Sequence, residues 1–230
     1  MRLDKLLANS GYGTRKEVKK IIKSKQVSVN NIICVDDSKH VDPSIDEVMV
    51  DDIIVEYSEF IYIMLNKPAG YLSATEDMND PTVLDLLPEF NGRGLRCVGR
   101  LDKDTEGLLI LTNDGNMIHH LTSPKRHIEK EYYVELESDF DVAFIDDLEK
   151  GIRISDEEVC LPAMVEVKSS KVIHLTITEG KYHQVKRMMH ACNNEVLYLK
   201  RIRIGSIMLD DKLKLSEYKR LTKEEENNLH

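Results

Sequence analysis

Leu3, Leu6 and Leu7 recur at helical spacing at the start of the chain. After the Gly11-Tyr12-Gly13 break, Thr14-Arg15-Lys16-Glu17 has the S/T-x-x-E form of a capping box. The pattern predicts a second helix from Thr14 to about Ser24 that buries Val18, Ile21 and Ile22 and projects Lys16, Lys19, Lys20 and Lys23 elsewhere. Val27 to Ile33 then alternates as a strand, turns at Asn30-Asn31 and resumes as a strand. The apolar run Ile61-Tyr62-Ile63-Met64-Leu65 follows an acidic stretch, so the expected domains are residues 1–58 and 59–230. In the second, strand-like runs (61–65, 107–112, 131–137, 163–167, 172–178, 198–204) mix with helix-like ones (116–122, 141–150, 182–192). This is an α+β pattern with a sizeable sheet. The polar tail from Thr222 to His230 is expected to fray.

Composition narrows the class. With 41% hydrophobic and 32% charged residues, the chain has the makings of a folded globular protein rather than a disordered one. No apolar run is long enough to span a bilayer, and MRLDKLLANSGYG lacks the apolar core of a secretory signal. The cytoplasm is the expected compartment, and no membrane partner is expected. Cys34, Cys97, Cys160 and Cys192 lie far apart with no C-x-x-C pair, which favours reduced packing thiols over a zinc site. His183, His190 and Cys192 lack a fourth ligand and a metal-site spacing, so no metal is expected.

A net charge of −9 argues against a nucleic-acid partner until its distribution is read. Residues 1–30 hold eight basic side chains, among them Arg2, Arg15, Lys16 and Lys19, against only Asp4 and Glu17. Residues 31–60 hold nine acidic side chains against Lys39 alone. One basic face on an otherwise acidic protein suits a polyanion partner.

The stretch with the most chemistry is GRLDKDTEGLLILTNDG, residues 99–115. Two carboxylates flanked by Arg100 and Lys103 precede a buried strand, so a loop carboxylate is presented from a rigid element among cations that favour its ionised form. Read alone, such a cluster is more often a solvated surface turn. The stretch, however, resembles the central motif of the pseudouridine synthases. Leu65-Asn66-Lys67-Pro68-Ala69-Gly70 is similar to that family's N-K-P-x-G loop, and Lys130-Glu131-Tyr132 to its K-x-Y element. Glu179-Gly180-Lys181-Tyr182-His183-Gln184-Val185-Lys186-Arg187-Met188 is similar to its E-G-x-x-x-Q-V-[KR]-R-M motif. These motifs stand in family order. The first unit resembles the αL RNA-binding module of a ribosomal protein through R-L-D-K-L-L-A, G-Y-G-T-R-x-E and V-x-V-N, with Asn31 where glycine is common.

The resemblance implies a small αL RNA-binding domain followed by a catalytic domain on a mixed, mainly antiparallel sheet. It further implies isomerisation of a uridine in small-subunit ribosomal RNA without a cofactor, by a monomer acting on that RNA or on a partly assembled small subunit. Asp102 is the implied catalytic carboxylate, Tyr132 the residue against the base, and Lys186, or failing it Arg187, the partner of Asp102. Arg100 and Lys103 are expected phosphate clamps, and Lys67 and Gln184 expected substrate contacts. Arg2, Arg15, Lys16 and Lys19 are expected to meet RNA from the first domain. The alternatives are the same activity on large-subunit RNA and a non-catalytic RNA-binding assembly factor.

Overall fold

The computed structural model describes residues 1–55 and 57–229. In the first of two compact units, Met1–Ile61 with Leu87–Leu95, helix α1 (Leu3–Asn9) buries Leu3, Leu6 and Leu7. Helix α2 (Arg15–Lys23) buries Val18 and Ile22. The Thr14 hydroxyl accepts from the Glu17 N–H, and the Glu17 carboxylate accepts from the Thr14 N–H, which closes the expected capping box. Strands β1 (Val27–Val29) and β2 (Ile32–Ile33) turn through Asn30 and Asn31, both left-handed at φ 53° and 65°. Asparagine tolerates that region, so the missing glycine costs the turn little.

Sequence reading left residues 48–54 without structure, yet β3 (Val48–Val50) and β4 (Ile53–Ile54) form a second hairpin through Asp51 and Asp52, also left-handed. All pairings are antiparallel, in the order β2-β1-β3-β4. Much of the acidity of this stretch serves turns. Asp42, for example, accepts from the Ser44 N–H and hydroxyl.

The second unit, Tyr62–Leu86 with Arg96–His230, contains a nine-stranded sheet. Its strands are β5 (Tyr62–Lys67), β6 (Arg96–Cys97), β7 (Glu106–Thr112), β8 (Lys130–Leu136), β9 (Met164–Ser169), β10 (Val172–Ile177), β11 (Val196–Ile204), β12 (Ile207–Met208) and β13 (Tyr218–Arg220). The order is β13-β5-β7-β11-β8-β10-β9, with β12 beside β11 and β6 beside β7. Among the described strands of this sheet, only β7 and β11 pair in parallel. Five of the six residues of β5 are fully or almost fully buried, and β7 contributes Leu108 to Leu111, all at 0% exposure. These two strands are the spine from which the functional loops hang.

Gly107 makes the parallel pairing possible. It adopts φ +99°, and a Cβ there would lie 2.2 Å from the Arg201 carbonyl oxygen. Helices α3 (Gly115–Thr122), α4 (Ile145–Lys150) and α5 (Gln184–Ala191) lie where the helical periodicity falls. The tail corrects an expectation. Thr222 and Glu225 form a capping box that starts α6 (Lys223–Asn227), and Leu229 is buried, so residues 222–229 are anchored. His230 lies outside the described residues.

Candidate active site

The loop Arg100–Thr105 leads into β7 and presents Asp102. Its backbone is fastened from the N-K-P-x-G side. Lys67 is wholly buried at the end of β5, and its ammonium donates to the carbonyls of Pro68 (3.0 Å), Asp102 (3.1 Å), Lys103 (3.3 Å) and Thr105 (2.8 Å). The Gly70 N–H donates to the Lys103 carbonyl at 2.7 Å, and the Ser73 hydroxyl bonds both the N–H and the carbonyl of Leu101. Burial brings the Lys67 ammonium down to about 8. The expected substrate contact by Lys67 is thus corrected. Its donors are committed to the loop carrying Asp102, and no face of it is open to RNA.

Opposite this loop, Tyr132 on β8 stands in register between Arg201 on β11 and Leu175 on β10. Asp102 and Tyr132 line one cleft together with Leu101, Ile177, His183 and Leu199. The Asp102 side chain is 29% exposed, accessible to a ligand yet fixed by its backbone. Across from it, His183 takes a left-handed conformation just ahead of α5 and places Nε2 3.7 Å from Asp102. Its ring stacks on Tyr182, with centroids 3.8 Å apart, and Tyr182 itself is 75% exposed. The sequence reading weighed His183 only as a metal ligand and passed over Tyr182. Their position between the E-G pair and Gln184 was the available signal.

The expected partner of Asp102 is shared between two carboxylates. Lys186 bonds both oxygens of Asp104 at 2.7 Å and stands 3.9 Å from Asp102. Its hydrogen bonds hold the Asp104 carboxyl below the usual carboxylate range. Lysine meets these carboxylates as a point charge, without the planar bidentate fork of a guanidinium. Arg187 is no substitute, because it pairs with Glu158 and donates to the Tyr182 carbonyl.

Gln184 is buried. It accepts from the Lys181 N–H and donates to Glu179, so it shapes the turn before α5 and forms part of the cleft wall. Arg100 is exposed, and exposed Lys103 pairs with Asp80 at 2.6 Å. In the first unit, Arg2, Arg15 and Lys19 gather at one open pocket around Asp4, and Lys16 is exposed. Arg2 and Arg15 reach Asp4 at 3.1 and 2.9 Å and Lys19 reaches Asp37 at 3.0 Å, so three of these four cations already have carboxylate partners. Among the described residues, no cluster of histidine, cysteine and carboxylate side chains has the makings of a metal site. No helix among them is long and apolar enough to cross a membrane.

Comparison with known proteins defines the class. Residues 61–191 match the RNA pseudouridylate synthase family and residues 1–44 the S4 domain. The chain belongs to the RNA pseudouridylate synthase family, whose members are isomerases acting on RNA.

Its relatives are more particular. The RNA pseudouridine synthase YtzG of Bacillus subtilis is 53% identical, over 98% of this chain and 96% of the relative. Ribosomal small subunit pseudouridine synthase A of Vibrio cholerae is 42% identical, over 98% and 97%. The protein of the same name from Escherichia coli K12 is 40% identical, over 98% of each chain. A crystal structure of a pseudouridylate synthase superposes at a TM-score of 0.70 with 36% identity, covering 100% of both chains.

Proposed function

We propose that this protein converts a uridine of small-subunit ribosomal RNA to pseudouridine, with Asp102 as the carboxylate that acts at the ribose. It works as a cytoplasmic monomer, with residues 1–58 as RNA anchor and residues 59–230 as catalyst. The observation that carries the reading is the placement of Asp102 opposite Tyr132 in one cleft, on a loop whose backbone is fastened by Lys67, Gly70 and Ser73. Such fixing of a reacting group is what productive geometry requires. Relatives of matching length that carry the small-subunit name support the choice of RNA.

The reaction breaks the bond between uracil N1 and ribose C1′, turns the base and joins C5 to C1′. The proton on C5 leaves and N1 gains one, so no atom is lost overall. Two routes share this balance. The Asp102 carboxylate either attacks C1′ or removes the proton from C2′, and both need it ionised. Lys186 and His183 lie within 4 Å of that carboxylate. A uridine stacked in RNA hides C1′, so the base must be extruded into the cleft, where the Tyr132 ring offers a stacking face. Glycosidases use a second carboxylate to activate water, and nothing here requires Asp104 to do so.

Tritium release from 5-tritiated uridine in small-subunit RNA tests the assignment. Asp102→Asn should eliminate release while leaving RNA affinity within about threefold, because the amide keeps the shape and loses the charge. Asp104→Asn should stay active within about threefold, since Lys186 then has Asp102 as its nearest carboxylate. Turnover by Asp102→Asn near wild type would sink the assignment. Mapping pseudouridine in ribosomal RNA from cells with and without the gene tests the target: loss of a large-subunit site would reassign it.

A further inference from the structure

Beside the catalytic cleft lies a second cavity of about 240 Å³, and Gly180 lines both. Its walls are apolar at Val98, Leu121 and Ile204, but two cations face it, Lys130 and Arg201. The sheet explains why they meet. Arg201 stands opposite Tyr132, and Lys130 is two residues before Tyr132 on the same strand, so all three side chains share one face. Two strand residues span about 7 Å, the scale of one nucleotide.

Neither cation has a carboxylate partner. Arg201 is 2% exposed, its Nε donates to the Leu108 carbonyl, and its Nη2 is buried without any hydrogen-bond partner. Lys130 donates to the Ile128 carbonyl. The carboxylate at this cavity, Glu179, is committed: it accepts from the Leu161 N–H at 2.8 Å and Gln184 at 2.9 Å, and pairs with Lys181. Two adjoining cations with no counter-charge and one idle buried donor are costly unless an anion joins them. The strain registers on Lys130, which burial and then the nearby Arg201 bring down to about 8.

We propose that this cavity is a phosphate subsite, held by Lys130 and Arg201, that receives a backbone phosphate of the RNA strand next to the uridine in the catalytic cleft. The proposal rests on the isomerase reading for the identity of the strand. The chemistry of the site, a phosphate oxyanion between a lysine and an arginine, is independent of it. The apolar walls suit the sugar attached to such a phosphate, and the shared Gly180 leaves the two subsites contiguous.

The test uses the full chain, with inorganic phosphate as probe against chloride at equal ionic strength. Phosphate should raise the thermal midpoint of the wild type by several degrees and inhibit tritium release competitively with RNA. Lys130→Met, kept at a strand end to spare the core, should lose both effects. It should also raise KM for RNA about tenfold with kcat nearly unchanged, and Lys130→Arg should restore KM. Three results would overturn the proposal: no phosphate-specific shift in the wild type, the same shift in Lys130→Met, or inhibition that does not compete with RNA. That third result would mark a site for free phosphate rather than for the strand. Because the wild-type titration needs no variant, poor folding of Lys130→Met leaves the question decidable. A protein that binds phosphate yet releases no tritium from any ribosomal RNA would refute the isomerase reading and leave the anion site standing.

Discussion

At the scale of single residues, the cleft joins side chains that lie far apart in the chain. Asp102 and Tyr132 are 30 positions apart, yet their motifs placed both in one site, and they line one cleft. Lys67, expected as a substrate contact, is instead wholly buried. Its burial under four carbonyls becomes visible only when β5 and the loop before β7 are set side by side. That Lys186 holds Asp104 more closely than Asp102 was equally hidden, since sequence spacing cannot resolve 2.7 Å from 3.9 Å. The roles proposed for Tyr132, stacking and proton removal, are ones that substitution should separate. Tyr132→Phe keeps the ring, and base–aromatic stacking is worth about 1–3 kcal/mol, so RNA binding should survive. If the hydroxyl helps remove the C5 proton, this variant should accumulate RNA that stays attached to the protein on a denaturing gel. Tyr132→Ala should lose turnover outright. Normal turnover in the Phe variant without attached RNA would restrict Tyr132 to stacking, and an active Ala variant would remove it from the site.

At the scale of elements, periodicity located every strand of six or more residues and every helix from α1 to α5, and all of these except β9, which is largely exposed, bury residues against a core. What it missed are β3, β4, β6, β12 and β13, of two or three residues each, which are too short to show alternation. The hairpin of β3 and β4 was further disguised by the acidic residues that make its turn. Parallel pairing of β7 with β11 was not legible either, although its cause is a single residue. At Gly107 any side chain would meet the backbone of Arg201 and would also have to adopt positive φ. Gly107→Ala should therefore push the two strands apart and cost about 3 kcal/mol or more of stability, read as a lowered urea midpoint. Since β7 follows the Asp102 loop and β11 carries Arg201, activity should fall further than the lost folded fraction explains. A midpoint equal to wild type would show that the strands yield at no cost.

At the scale of the whole molecule, the chain combines a net charge of −9 with a family whose substrate is RNA. The charge count alone overstated how free the basic residues of the first unit are. Asp4 lies buried beneath Arg2 and Arg15. Burial pushes its carboxyl up, but the hydrogen bonds from Arg2 and Arg15 outweigh this and bring it down to about 2. Asp37 likewise holds Lys19. These carboxylates orient the cations over one open pocket and leave a smaller positive field than eight basic residues suggest. RNA phosphates must then displace or share those partners, whereas exposed Lys16 is open to pair directly. Each phosphate contact contributes about −0.9 to the slope of log K against log salt on duplex and about −0.7 on single strands. Lys16→Ala should therefore flatten the slope by nearly that full amount. Arg15→Ala should flatten it by less, because Asp4 already neutralises part of the Arg15 charge. Both variants should keep kcat at saturating RNA, since the proposed catalytic residues lie in the second unit's cleft. Binding titrations on small-subunit RNA between 50 and 200 mM salt, the range over which such contacts separate well, provide the measurement. If the triple variant Arg15→Ala, Lys16→Ala, Lys19→Ala bound with an unchanged slope, the first unit would not be the anchor, and the cations of the catalytic domain would have to supply the whole of the electrostatic attraction.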